Sequence, residues 1–234
     1  MTEVRFLTCE HGGNRVPAAI AEAFSSRTAR RALASHRGWD RGALDAARVL
    51  ARAWGAPLRF STVSRLVVEP NRSLHHPRLF SEFTRSLPAD DRAVLLERHW
   101  RRYRREVEAS ILDAVGSGNR VLHVSVHTFA PVLRGDRRNA DLGLLYDPRR
   151  DAERVLSVAW QRALRTIAPA LRVRRNYPYR GADDGFTTGP RRAFPGDRYL
   201  GIELEINRAL FDRRRHGWRD AVEALVDAFD SLDR

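Results

Sequence analysis

The chain has 234 residues, with 42 basic residues against 29 acidic ones and a formal charge of +13. Every basic residue is arginine. The absence of lysine excludes a Schiff-base amine, a lysine general base and a P-loop of the GxxxxGK[ST] type, but leaves nucleic acid and small acidic molecules open as partners.

Short apolar runs alternate with helical patterns, which predicts an α/β layered fold. Residues 4–9 (VRFLTC) read as a buried strand. Residues 43–54 place Leu44, Ala47, Val49, Leu50 and Trp54 at near-helical spacing, and Gly55 follows as a stop. Residues 58–63 read as a strand, and 66–69 as another. Pro88 and two acids open a long helix. Its Leu96, Trp100, Tyr103, Val107 and Ile111 make one apolar stripe, and Gly116 to Gly118 end it. Residues 121–126 (VLHVSV), 141–146 and 200–206 (LGIELEI) read as further strands. Residues 152–167 and 218–232 read as helices. The alternation predicts a three-layer fold, a mostly parallel mixed sheet with helices on both faces, in one domain over 1–234.

Cys9 is the lone cysteine, so no internal disulfide is expected. The first residues lack a charged-then-apolar signal layout, and no stretch approaches the roughly 18 apolar residues of a membrane span. A cytoplasmic protein with no membrane partner is expected.

Ligands of such sheets bind beyond the carboxyl ends of the strands. The first strand ends in Glu10-His11-Gly12-Gly13-Asn14. The 121–126 strand runs out into His127. Asp40 stands beside the start of the 43–54 helix. Glu203 and Glu205 are two apart on a strand and share a face. Three N/O ligands with one open position make a catalytic zinc site, and a separate carboxylate serves the proton. The bland readings are structural histidines, an Asp40 N-cap, and glutamates paired with arginine. Two carboxylates on one face of an apolar strand are the harder feature to explain without a cation.

The arginines around Tyr103 (101, 102, 104 and 105) read as a solvated helix face, and no nucleic-acid motif accompanies them. Nucleic acid is therefore not the expected partner. His99, His123 and His216 read as structural or solvated, His75 and His76 as loop residues. His36 is expected to orient Asp40, and Cys9 to be a buried small residue.

The segments EHGGNRVP, GWDRGA, SRLVVEPNRSL, VSVHTFAPV, NYPYRGADDGFT and IELEINRALF, in this order from residue 10 to 211, resemble the N-formylglutamate amidohydrolase family. The HGG and VSVHTF segments also look like zinc motifs of N-acetylmuramoyl-L-alanine amidases. The resemblance implies a phosphorylase/hydrolase-like fold and one zinc ion. It implies His11, His127 and Asp40 as the metal ligands, Asp40 being preferred over Glu10 and over Asn14. It implies Glu205 as the catalytic glutamate, with Glu203 as runner-up. Asn71 and Arg72 match a pair that holds a substrate carboxylate in relatives, with Arg65 expected to assist. Glu69-Pro70-Asn71-Arg72 stands where the family usually has Asp-Leu-Asn-Arg. Asn14, Tyr179 and Arg180 complete the expected substrate-binding set.

The expected reaction is hydrolysis of an N-formyl- or N-acyl-amino acid, an acidic small molecule, by water activated at zinc with Glu205 as base. Formylglutamate as substrate would place the enzyme in amino acid metabolism, in histidine degradation. A peptide-like amide is the alternative substrate, and a nucleic-acid-binding protein the alternative from another class.

Overall fold

A computed structural model describes residues 1–212 and 217–233; His216 lies outside them. In chain order the elements are β1 (Glu3–Cys9), α1 (Arg27–Ala34), α2 (Ala43–Ala53), β2 (Leu58–Phe60), α3 (Ala89–Leu95) and α4 (Arg102–Gly116), the last two joined by a π-helical turn (Leu96–Arg101). Then follow β3 (Arg120–Phe129), a hairpin of β4 (Val132–Leu133) and β5 (Asp136–Arg137), β6 (Leu142–Leu145), α5 (Asp151–Ile167) and β7 (Val173–Arg175). The chain continues with α6 (Thr188–Ala193), β8 (Tyr199–Asn207), α7 (Ala209–Asp212) and α8 (Gly217–Asp230).

Six strands form one sheet in the order β2-β1-β3-β8-β6-β7. All neighbours are parallel except β6 and β8. The mostly parallel mixed sheet expected from the alternation is therefore present.

Side-chain parity divides the sheet into two faces. Leu7 and Cys9 of β1, Leu122, Val124 and Val126 of β3, and Leu200, Ile202, Leu204 and Ile206 of β8 lie on one face. They pack against α2, α5 and α8, around Trp160 and Phe229. The opposite parity carries Thr8 and Glu10, then His123, Ser125 and His127, then Glu203 and Glu205, all buried. Tyr103, Val107 and Ile111 of α4 pack on the amino-terminal part of this face, beside Phe6 and Phe186. One face thus supplies apolar burial, at about 25 cal/mol per Å². The other concentrates polar side chains.

Several expected elements come out differently. The strand from residue 58 stops at Phe60, and 66–69 is no strand. The cause is hydroxyl chemistry: Ser61 Oγ accepts from Val63 N, Ser64 Oγ donates to Gly38 O, and Val67 N donates to Ser64 O, closing the backbone into turns. Val49, expected in the α2 stripe, is 37% exposed. Arg104, expected on a solvated face, is buried. It donates to Pro70 O at 3.1 Å and lies over the rings of Trp100 and Phe186. Among the described residues, no helix is long and apolar enough to cross a membrane.

Candidate metal centre

The site forms where β1 and β3 end. His11 leaves β1, and its carbonyl accepts from Asp40 N at 2.9 Å, which ties the Gly38-Trp39-Asp40 turn to the strand exit. Gly13 lets the chain pass: a Cβ there would come within 2.6 Å of Thr62 O. Asp40 does not cap α2. Gly42 holds the N-cap at φ +89°, and the Asp40 side chain turns inward.

His11, Asp40 and His127 are buried, and their ligand atoms lie within 4.8 Å of one another. His11 Nδ1 is 3.2 Å and His127 Nδ1 3.0 Å from the same oxygen, Asp40 Oδ2. The far side of each ring meets a carboxylate. His11 Nε2 is 2.5 Å from Glu69 Oε1. His127 Nε2 is 2.8 Å from Ser125 Oγ and 3.3 Å from Glu10 Oε2.

Proton counting then defines the centre. Burial pushes Glu69 up, but Arg65 and His11 outweigh it and hold the carboxyl well below its ordinary range. An ionised carboxylate only accepts, so His11 Nε2 carries the hydrogen. Ser125 donates its one proton to Glu10 Oε2 at 2.6 Å, so His127 Nε2 also carries a hydrogen. Both Nδ1 atoms are left facing Asp40 Oδ2. Burial raises Asp40, yet the two histidines overcome it and hold it well below normal. Burial likewise lowers His127, and Asp40 with Glu10 reverse this to well above normal. A cation at the centre of the trio, a ring proton or a metal ion, would satisfy all three groups. Two imidazole nitrogens and one carboxylate oxygen are a fitting donor set for zinc.

Glu205 stands beside His127 in the β3–β8 register. Its Oε2 is buried with no hydrogen-bond partner. Burial raises its pKa from 4.5 to about 8; His127 pulls the other way, and Asp40 and Glu203 add to the rise. Glu203 is less available, because Thr187 Oγ1 donates to it at 2.9 Å. Glu205 and its runner-up Glu203, which share one strand face, are thus in unlike surroundings.

The other expected residues fall into two groups. Arg65 is at the centre: its Nε donates to Glu69 Oε2 at 2.6 Å and its Nη1 to Asp40 Oδ1 at 3.5 Å. Tyr179 is close enough to Glu205 and Asp40 that, after burial, their charges raise its pKa; Arg138 donates to its hydroxyl at 3.0 Å. Asn71 and Arg72 adjoin Glu69 and hold the 184–186 segment: Asn71 Oδ1 accepts from Phe186 N at 2.5 Å, and Arg72 donates to Asp184 O. Asn14 and Arg180 are not drawn in. Both are exposed, and the Asn14 amide donates to Leu33 O at 3.2 Å. His36 approaches Asp40 Oδ1 to 3.6 Å, beyond hydrogen-bond range, and burial lowers its pKa to about 4. His75 is exposed and His76 half-buried in their loop. His123 is structural, held between Thr8 Oγ1 and Tyr199 OH at 2.7 Å each.

Glu69 as a partner of His11, and Ser125 with Tyr103 as partners of Glu10, are not expected from the residues alone. The Tyr103 hydroxyl donates to Glu10 Oε1 at 3.0 Å. A signal existed for Ser125, which shares strand parity with His127. For Glu69 the signal was a carboxylate ending an apolar run.

The fold is a mixed α/β sheet with helices on both faces, and its family match makes the chain an amidohydrolase. The chain matches the N-formylglutamate amidohydrolase family over residues 5–211 and belongs to it, a family acting on carbon–nitrogen bonds of non-peptide amides. Among solved structures, a gene product of Agrobacterium tumefaciens is 26% identical with a TM-score of 0.80, over 98% of this chain and 92% of that one. The N-formylglutamate amidohydrolase from Ralstonia eutropha is 20% identical with a TM-score of 0.66, over 98% and 93%, and shares the fold. No curated protein matches the chain.

Proposed function

We propose that this chain hydrolyses the amide of an N-formyl- or N-acyl-amino acid, N-formylglutamate first among them, to the free amino acid and the acid (formate from the formyl substrate). One zinc ion would be held by His11, Asp40 and His127. The observation that carries the reading is the buried, unpartnered Glu205 Oε2 beside a His-Asp-His trio able to hold a metal ion.

When bound, zinc supplies Lewis acidity, polarising the amide carbonyl and making a water molecule acidic near neutral pH. Glu205 takes the proton of the attacking water at Oε2 and returns it to the leaving amine. With zinc bound, the Glu205 pKa would fall from its metal-free value of about 8 toward neutrality, where the carboxyl can both take and return the proton. Arg72 grips the substrate carboxylate with the donors that Asp184 O leaves free, as a planar fork does well. Asn71 keeps that loop in place, and Arg65 reinforces the positive wall. Tyr179, which feels the charges of Glu205 and Asp40, would offer its hydroxyl to the substrate or the developing oxyanion.

The test is turnover by zinc-loaded protein on formylglutamate, other acyl amino acids and a peptidoglycan fragment. Release of glutamate and formate, lost in Glu205→Gln while zinc is retained, is expected. Turnover of the peptidoglycan fragment alone would transfer the enzyme to peptide-like amides, and a fully active Glu205→Gln would remove the proposed base.

A further inference from the structure

The two histidine rings of the candidate centre are gripped from behind in the same sense, by carboxylates from different parts of the chain. Glu69 Oε1 stands 2.5 Å from His11 Nε2, across 58 residues. Glu10 Oε2 stands 3.3 Å from His127 Nε2, and Ser125 Oγ bridges the two at 2.6 and 2.8 Å. Each carboxylate is itself anchored: Glu69 by Arg65 at 2.6 Å and Asn71 N at 3.0 Å, Glu10 by Tyr103 at 3.0 Å. Imidazole coordinates through either nitrogen, and the hydrogen bond at the other one decides which.

We propose that Glu69 and Glu10 are positioning residues. By holding both rings at Nε2 they turn both Nδ1 atoms to the metal position beside Asp40, and Ser125 relays the Glu10 contact to His127. This rests on the metal-centre reading above. Second partners of this kind raise the basicity of a ligand ring and lock its orientation.

The test measures zinc affinity by chelator competition in wild type, Glu69→Gln, Glu10→Gln and Ser125→Ala, with thermal unfolding of the metal-free proteins alongside. Each Gln variant is expected to bind zinc roughly ten- to a hundredfold more weakly. Ser125→Ala, which keeps the direct contact, should lose less. The cobalt-substituted Gln variants should show shifted visible bands. Folded variants with wild-type affinity and bands overturn the inference alone; failure of wild type to bind zinc overturns the metal centre and the inference with it. A readout that needs no variant is nitrogen-15 NMR of the histidines in the zinc-loaded protein. Metallated Nδ1 and protonated Nε2 on both rings are expected, and a metallated Nε2 on either ring overturns the proposal.

Discussion

Glu205→Gln is expected to stabilise the metal-free protein at neutral pH and to abolish most hydrolysis in the zinc-loaded one. Burial, opposed by His127 and reinforced by Asp40 and Glu203, raises the Glu205 pKa from 4.5 to about 8. Below pH 4.5 both the folded and the unfolded chain hold this proton. Between there and pH 8 only the folded chain holds it, so stability falls as pH rises, by about 1.4 kcal/mol per pH unit. At pH 7 the loss reaches roughly 3 kcal/mol. Glutamine does not titrate, so the variant escapes the loss, less the cost of burying its amide. A gain of about 2 kcal/mol corresponds to roughly 4–8 °C in Tm for a chain of this size. Thermal unfolding with a chelator present, from pH 5 to pH 8, reads this directly. The two proteins should melt together near pH 5 and separate above it. Zinc should shrink the difference, because a nearby cation favours the carboxylate. In the turnover assay kcat should fall about 10²- to 10⁴-fold. A Tm difference that does not change with pH would refute the reasoning, since the unfavourable carboxylate would then be absent.

His11→Ala/His127→Ala should lose bound metal, as read by elemental analysis; unchanged zinc would sink the ligand assignment. Arg72→Ala should raise KM for a carboxylate substrate roughly 10- to 100-fold, the worth of a charged hydrogen bond. Arg72→Lys should recover only part of this, because lysine lacks the fork. Gly143→Ala should destabilise the fold by about 1–3 kcal/mol in denaturant titration, because its Cβ would overlap Tyr177 O and lie 3.2 Å from Glu205 Cβ. On a DNA column the protein should elute at the salt that releases it from a plain cation exchanger, as its charge of +13 dictates, whereas retention on DNA beyond that salt would revive nucleic acid as a partner. Arg101 and Arg105 already pair with Glu97, and Arg102 with Glu106.

The strand exits were legible because they break a pattern. His11 and His127 are polar residues at the ends of apolar runs, and Glu203 and Glu205 are carboxylates inside one. Such placements cost free energy unless something compensates them. What compensates them was hidden by distance along the chain. Glu69 meets His11 across 58 residues and Glu10 meets Ser125 across 115. Local periodicity carries no such information. The 66–69 run was misread for the same reason: its apolar residues face the cluster around Phe24 and Leu95, and no ladder accompanies them. Arg104 looked like one of four solvated arginines until the Pro70 carbonyl and two aromatic rings came to surround it.

The division of the sheet explains how a chain of charge +13 keeps an acidic centre. Glu10, Asp40, Glu69, Glu203 and Glu205 are all buried on or near one face, with Arg65 the arginine bonded to two of them. Most arginines of the α4 region pair with neighbouring acids at the surface and leave this concentration untouched. His11, His127 and Arg65 favour the ionised forms of Glu10, Asp40 and Glu69, whereas Glu205, its pKa raised by burial, opposes folding at neutral pH, and the apolar face packed on α2, α5 and α8 must offset it. A cation bound at His11, Asp40 and His127 would relieve that opposition, which would couple metal binding to folding stability through these residues. Stability gained on adding zinc should therefore shrink in Glu205→Gln, where one of the repelling carboxylates is already gone.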